Sequence, residues 1–590
     1  MHHLLLVSLG PIQDLIASAR RLQDLWLGSW LLSELSRTVA LAVEQHEGVA
    51  VIFPAPRSTE EKSGIANKIL ARLPPGTDPS LVAADARRAQ VERLRQIRDI
   101  AWSGRPPDFE RYFDRPTAER QVDELIEYLW VAVPETGSYT AARAEAEKRL
   151  AALKNTRAWS QPPWRPAPGI PKSSLDGERE SVIDDRVLDT RRRYDLFRAK
   201  GKEQLCGIGL LKRLAPEHPE IFDGRPPPFH STAHLALGPV LAGLHAAPDG
   251  QTAMGRYLDA LQALGLNTRR FRVTGGGTRT LLGHDGGLLL ESRMTEHFTE
   301  AAPGVADADR PEQVSKATEE LRDLLRTVGV REPVPYYAFL VADGDRMGRA
   351  IAGITTLDGH VALGRRLDEF AAGCSRIVAA NHGTLIYAGG DDVIAILPLH
   401  TALACSRELA TAFADTVRGT LSVGLGISHS REPMSDALAL ARRAERKAKE
   451  LGNSLALIVA KRGGADLVVA GEWDDALDER LTRWVELLGA GALSAKAAHD
   501  LEGVAAHYEG VAVDEQRERG DEIRALALQV LARKRQRGGA KPAELDELTG
   551  VLKDPLGRNP AAELRMMSAE LQVAQLLLRS RRQADGKVTP

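Results

Sequence analysis

The sequence predicts an α/β plus α protein: two ferredoxin-like α/β domains, a mixed helical middle domain and an all-helical C-terminal domain. Three observations carry this prediction. Residues 336–461 alternate short apolar runs with amphipathic stretches in the order β-α-β-β-α-β, the split βαβ arrangement, extended at its C-terminal end. The N-terminus opens with the same strand, helix, strand order. Beyond about Asp474 nearly all of the pattern is helical. At 590 residues the chain is too long for one core. We place the boundaries at 1–165, 166–330, 331–465 and 466–590.

Taken in order, His3–Leu9 is an apolar run stopped by Gly10-Pro11, which predicts a buried strand. From Ile12 to about Gln45 apolar residues recur at helical spacing through Leu15, Ala19, Leu22, Trp26, Trp30 and Leu35. Val49–Phe53 reads as a strand ended by Pro54, and about Ser80–Trp102 as an Arg-rich helix. Five prolines in Trp159–Pro171 forbid regular structure there and mark a boundary. The middle stretch to about Glu332 is irregular, with the proline cluster Pro226–Pro228 and the glycine run Gly275–Gly277. Next come a strand (Tyr336–Ala342), a helix (Leu363–Asn381) and two strands, Thr384–Ala388 and Val393–Pro398, joined through Gly389–Asp392. A helix (Ala402–Val417), a strand (Leu421–His429), a helix (Met434–Leu451) and a strand (Leu455–Lys461) complete the unit. Laying Val7–Pro11 beside Val341–Asp345 puts Leu9 and Pro11 where acids stand in the later copy. That fits a duplicated domain whose first copy lost its acids; two unrelated α/β units are the alternative.

A net charge of −2 excludes a global basic field, so any nucleic acid must be held by local patches. Cys206, Cys374 and Cys405, far apart in sequence, fit a reducing compartment and exclude a disulfide framework. The run His3–Leu9 is too short to span a membrane, and no cleavage site follows it. The expected location is cytoplasmic, with no membrane partner.

Chemistry is concentrated at two acidic elements on adjacent predicted strands. Asp343-Gly344-Asp345 leaves the first strand, and Asp391-Asp392 sits in a hairpin turn pinned by Gly389 and Gly390. In a split βαβ sheet the first strand neighbours the hairpin, so Asp343, Asp391 and Asp392 should converge, with Asp345 close by. Clustered hard oxygen ligands suit two Mg²⁺ or Mn²⁺ ions that activate a 3′-hydroxyl and stabilise leaving pyrophosphate. Gly389 and Gly390 are expected to keep the turn clear for a nucleotide. A merely polar turn is the bland alternative; the apolar flanks Leu385–Tyr387 and Val393–Leu397 place the acids instead at the tip of a core hairpin. Downstream, Ala444–Asn453 resembles the alanine-lysine-x-x-glycine-x-asparagine helix end of GGDEF-type nucleotide cyclases. That resemblance makes Lys449 the candidate triphosphate ligand; a solvated lysine beside Arg446 and Lys447 is the alternative.

The whole pattern resembles the Cas-ten family, the large palm-domain subunit of type III CRISPR effector complexes, in its Cmr-type (III-B) branch. The segments that carry the likeness are Leu9–Ile16 with Arg21–Ser33, Pro171–Glu180 with Leu205–Arg213, and Phe339–Gly348 with Tyr387–Asp392. It runs from residue 1 to about 465 and is weaker beyond. The resemblance implies two palm domains packed face to face with nucleotides between them. It also implies sister Cmr subunits, a guide RNA and a target RNA whose pairing switches on conversion of ATP to cyclic oligoadenylate. Asp343, Asp391 and Asp392 would hold the metals, with Asp345 a further candidate. Gly344, Gly389, Gly390 and Lys449 would line the nucleotide, and Ser8, Gly10 and Gln13 of the first palm would border the second one.

Two departures matter. The chain begins at the first palm, without the HD nuclease domain common in such proteins, and His284-Asp285 and His499-Asp500 lack companions at metal spacing. DNA cleavage is therefore not expected. Of four knuckle positions usually held by cysteine, three are Ser173, Asp176 and Gly209, leaving Cys206. No structural zinc is expected without the thiolates. An inert scaffold, a free-standing cyclic-dinucleotide synthase and a transferase joining AMP to S-adenosylmethionine are the competing readings. Arg191–Arg193, Arg533–Arg537 and Arg579–Arg582 are either RNA or subunit contacts or solvated helix faces.

Overall fold

The computed structural model describes residues 1–11, 13–54, 66–156, 170–184, 190–224, 230–271, 273, 283–302, 304–533 and 559–586. The calls at 159–169, Pro226–Pro228, Gly275–Gly277 and 534–537 lie outside the described residues.

The first unit is a four-stranded antiparallel sheet of β1 (His3–Gly10), β2 (Ala50–Phe53), β3 (Lys68–Leu73) and β4 (Glu127–Pro134), in the order β2-β3-β1-β4. Its helices are α1 (Gln13–Ala17), α2 (Leu22–Glu44), α3 (Pro79–Ala101), α4 (Arg115–Asp123) and α5 (Tyr139–Asn155). The single helix expected over Ile12–Gln45 is a correction: it breaks into α1 and α2. Both Asp24 carboxylate-facing amides, Arg20 N and Arg21 N, donate to Asp24 Oδ2 at 3.0 Å. That carboxylate starts a new helix in place of continuing the old one.

The middle region is helical: α6 (Thr190–Phe197), α7 (Gly207–Leu214), α8 (Thr232–Ala236), α9 (Gly238–Ala246), α10 (Gly250–Ala263), α11 (Met294–Ala301) and α12 (Arg310–Arg326).

The second sheet holds β5 (Tyr336–Gly344), β6 (Thr384–Gly389), β7 (Asp392–Pro398), β8 (Leu421–His429), β9 (Ser454–Val459) and β10 (Leu467–Glu472), in the order β10-β9-β8-β5-β7-β6. α13 (Met347–Ala352) and α14 (Leu357–Ala380) follow β5; α15 (Ala402–Val417) and α16 (Met434–Leu451) flank β8. β5 and β8 are almost wholly buried because helices cover both faces of the sheet, which is why they read as unbroken apolar runs. The sheet continues past residue 465 through β10, which pairs antiparallel with β9. Then come α17 (Leu477–Gly489), α18 (Ala497–His507), α19 (Val513–Glu518), α20 (Gly520–Arg533) and α21 (Pro560–Ala584).

The two units share one topology. Ranked by place in its own unit, each sheet runs fourth, first, third, second: β4-β1-β3-β2 and β8-β5-β7-β6. Each first strand leads into a short helix and then a long one, α1–α2 and α13–α14. Their packing is reciprocal, α14 against β2 and α2 against β6. Ile52 and Phe53 meet Leu357 and Val361 on one side, and Leu22 and Leu25 share a core with Ile386 on the other. Such correspondence favours duplication over two unrelated units. No helix among the described residues is long and apolar enough to cross a membrane.

Candidate active site

The β5–β7 ladder runs as far as Ala342 opposite Val393. One step on, Asp343, still paired with Ser422 of β8, stands beside Asp392, the first residue of β7. Asp391 stands in the two-residue turn, where Gly390 takes φ +66°, a left-handed conformation that a side chain would resist. Gly344 is required for a different reason: a Cβ there would lie 2.9 Å from Asp391 Cβ and 2.8 Å from Phe413. Only a glycine lets the two acidic loops approach. At Gly389 a Cβ would strike the Tyr387 ring, 2.4 Å from its hydroxyl. Turn geometry and Tyr387 thus explain Gly389 and Gly390 without the ligand-clearance argument that the sequence suggested.

Asp343, Asp391 and Asp392 converge. Removal from water, then the charge of Asp343 and a hydrogen bond with it, push the Asp391 carboxyl up to about 7. Crowding by protein, then the charges of Asp391 and Asp343, push Asp392 to about 8. Asp392 as a residue is exposed, so like-charge repulsion is the cause the geometry guarantees. Lys449 Nζ sits 2.5 Å from Asp343 Oδ2 and donates to Gly344 O at 2.6 Å. α16 delivers it because Gly424 and Gly426 let the helix lie directly on β8, where a Cβ would come 2.0 Å from Glu445 N or 2.6 Å from Ala441 N.

Asp345 plays another part. Its Oδ2 accepts from Thr420 Oγ1 (2.9 Å) and Asn453 N (2.8 Å), and its Oδ1 from Ser422 Oγ (2.7 Å). Both oxygens are already engaged, so Asp345 braces the loop that aims Asp343. Sequence reasoning missed Thr420 and Ser422, whose partner Asp345 lies far along the chain. Asn453 had been quoted only as part of a helix-end pattern.

The first unit brings Gln13 and Asp14 to the surface of α1. Asp14 bears electrostatically on Arg442 of α16. Ser8 is 2% exposed. By strand alternation it shares the sheet face of Leu4 and Leu6, which packs against α5. Gly10 ends β1 opposite Glu127, leaving it as a strand terminus. Where the second unit has Asp343 beside Asp392, the first has Leu9 and Asn67, joined by Leu9 N to Asn67 O and Asn67 Nδ2 to Leu9 O, both 2.9 Å.

No group of three or more His, Cys, Asp and Glu side chains among the described residues forms a ready metal cage. Divalent Mg²⁺ does not need one, since it binds through one or two carboxylates plus waters and substrate phosphates. Three mutually repelling carboxylates, with Lys449 against Asp343, are a donor set that fits such an ion.

Residues 336–456 match the model of the Cas10/Cmr2 second palm domain, and residues 4–99 that of the CRISPR-associated protein Cmr2, N-terminal. A curated relative, the CRISPR system Cmr subunit Cmr2 of Pyrococcus furiosus, is 24% identical over 563 residues, taking in 80% of this chain. Two separate stretches of the chain thus match Cas10/Cmr2 models. The chain spans 63% of that Cmr2 relative's length. A type III-B Cmr-beta structure in its apo state matches with TM-score 0.62 and 13% identity over 92% of this chain and 78% of the other. Cmr-beta bound to cognate target RNA matches with TM-score 0.60 and 13% identity over 92% and 79%. These two likenesses are of fold.

The four knuckle positions come together. Cys206 Sγ lies 3.5 Å from Asp176 Oδ2 and accepts from Gly209 N at 3.4 Å. Asp176 also accepts from Glu178 N, Arg179 N and Arg179 Nη1, so its oxygens serve the loop itself. Burial, then the charge of Asp176, raises the Cys206 thiol above its usual value, which disfavours the thiolate a tight zinc site uses. Asp285 caps a turn by accepting from Ser231 and Gly287, and His499 is an exposed residue of α18. Of the basic clusters, Arg192 is spent on Asp108 and Arg193 on Gly201 O and Glu203 O, against a nucleic-acid role for either.

Proposed function

We propose that this chain is the large subunit of an RNA-guided type III CRISPR complex of the Cmr kind. Its second palm is a target-RNA-activated nucleotidyltransferase that converts ATP to cyclic oligoadenylate. The convergence of Asp343, Asp391 and Asp392 at the open end of β5 and β7, with Lys449 against Asp343, carries this reading. The matches to the Cas10/Cmr2 models and the Cmr fold likeness support the assembly: sister subunits, a guide RNA and a target RNA, with sequence read by base pairing.

Asp343, Asp391 and Asp392 would hold two Mg²⁺ or Mn²⁺ ions, which when bound activate an attacking 3′-hydroxyl and stabilise the leaving pyrophosphate. The chain's own residues do the rest. Lys449 offers its ammonium to phosphate oxygens and meanwhile neutralises Asp343. Asp345, held by Thr420, Ser422 and Asn453, keeps the Asp343 loop from rotating. Positioning of this kind is the larger part of what a protein contributes to phosphoryl transfer.

The test is to assemble the complex with guide and matching target RNA, add ATP with Mg²⁺ or Mn²⁺, and analyse products by mass spectrometry. Cyclic oligoadenylate from the wild type and none from Asp391→Ala/Asp392→Ala is expected. Identical product profiles from the two proteins would overturn the reading. A parallel arm with S-adenosylmethionine distinguishes an adduct from a cyclic product.

A further inference from the structure

The elbow between α1 and α2 is held from outside its own domain. Lys212 of α7, 1% exposed, donates its ammonium to Leu15 O and to Ser18 O, the latter at 2.8 Å. These are carbonyls at the C-terminal end of α1, where helix geometry leaves them without intrahelical donors. The next residue, Arg213, is fully buried and binds Asp24 through Nε (2.5 Å) and Nη2 (3.0 Å) while also binding Glu203. Two consecutive cations of the middle domain thus fasten the two sides of one elbow.

Apolar packing secures α1 only in part on this flank: Leu15 shares a core with Cys206, Ile208 and Leu211. Beside that contact a pocket of about 280 Å³ opens between α1 and the knuckle loops, lined by Asp14, Leu15 and Ser18 on one wall and Asp176, Cys206 and Lys212 on the other. Lys212 is the polar bridge across that space. On its opposite flank α1 meets the catalytic palm: Ile16 shares a core with Leu438 and Ala441 of α16, and Asp14 bears on Arg442. α16 is the helix that presents Lys449 to Asp343. The second unit repeats the device. Arg143 of α5, itself buried, reaches Ile354 O (3.4 Å) and Ala352 O (3.5 Å) at the end of α13, the counterpart of α1.

We propose that Lys212 is a positioning residue for the nucleotide cleft between the palms: by bridging to Leu15 O and Ser18 O it fixes the distance of α1 from α16. This rests on the nucleotidyl-transfer reading for its catalytic readout, and the test therefore includes one readout that does not. Lys212→Met removes every donor at nearly constant volume; Lys212→Gln keeps a neutral donor; Lys212→Arg keeps the charge and has the adjoining cavity for its larger head.

In the assembled complex with target RNA, Lys212→Met is expected to raise KM for ATP about tenfold with kcat changed less than about threefold, because Asp343, Asp391, Asp392 and Lys449 are untouched. Lys212→Arg should recover most of that loss. Amide exchange over residues 14–19 should quicken at least about tenfold in the full chain while exchange over β5 stays as in the wild type. If Lys212→Met fails to fold, Lys212→Gln is read on the same two measurements. A drop in kcat alone, scaling with the folded fraction, or unchanged exchange at 14–19, overturns the inference. Should the wild type form no product from ATP, the activity reading fails, and exchange together with binding of an ATP analogue uncleavable between its α- and β-phosphates still decides the role of Lys212.

Discussion

Two neighbouring acids in the site carry opposite stability signatures. Asp345 is a satisfied acceptor: removing it leaves the Thr420 and Ser422 hydroxyls and the Asn453 N–H without their partner. Asp345→Ala is expected to cost about 1–3 kcal/mol in denaturant unfolding, the penalty of orphaned polar groups. Asp392 is crowded by the charges of Asp391 and Asp343. Asp392→Asn should leave the unfolding midpoint unchanged or raise it, since one of three repelling charges disappears. The same substitution should abolish product formation. Equal destabilisation by both variants would refute the division of roles. That Asp343, Asp391 and Asp392 would meet was legible in the sequence, because the split βαβ order places the first strand beside the hairpin. The role of Asp345 was not, because Thr420, Ser422 and Asn453 lie more than seventy residues away.

Among elements, the α1–α2 elbow shows what a single-chain pattern conceals. Helical spacing continues through Ala19 and Leu22, so the sequence offers one helix; Lys212 and Arg213, nearly two hundred residues on, decide otherwise. β4 was invisible for another reason: an edge strand with most residues half-buried gives no clean alternation. β3, Lys68–Leu73, is an apolar run short enough to read as either helix or strand. The elbow's buried charges make a measurable claim. Arg213→Met takes from the buried Asp24 and Glu203 carboxylates the cation they share, and the loss should be about 3–5 kcal/mol, as for other broken buried pairs. Burial pulls the Glu203 carboxyl upward, but the hydrogen bond and charge of Arg213 and the charge of Arg21 outweigh it and leave the group lowered. A carboxyl lowered on folding adds stability that is present above its unfolded value of about 4.3 and lost as pH falls through the folded value. The gap in unfolding midpoint between wild type and Arg213→Met should therefore narrow on going from pH 6 to pH 3. A gap that widens toward acid would contradict the pairing.

At the scale of the whole molecule, the palms and their helical surroundings are not beads on a string. The duplicate topology was half-legible, in the matching strand, helix, strand order; the reciprocal seating of α14 on β2 and α2 on β6 needed the third dimension. The helical C-terminal region was legible as helical but not as part of the second palm's own core. One continuous apolar cluster joins Leu455, Leu457 and Val459 of β9 to Trp473, Leu481 and Trp484, and on to Leu571 and Val573 of α21. Polar ties run alongside: Trp473 Nε1 donates to Leu421 O at 2.9 Å, and Gln583 spans Val334 N (3.1 Å) and Glu332 O (2.9 Å) just before β5. Cutting the chain at residue 465 would thus strip one sheet face and expose a row of large apolar side chains, at about 25 cal/mol for each Å² returned to water. It would also unpair β9 by removing β10. The expected outcome for residues 1–465 is loss of cooperative unfolding, with strong binding of a hydrophobic dye and weakened near-ultraviolet circular dichroism. A fragment that unfolds in one sharp transition at the full chain's midpoint would show that the helical region is a separate unit, and the shared core described here would be wrong.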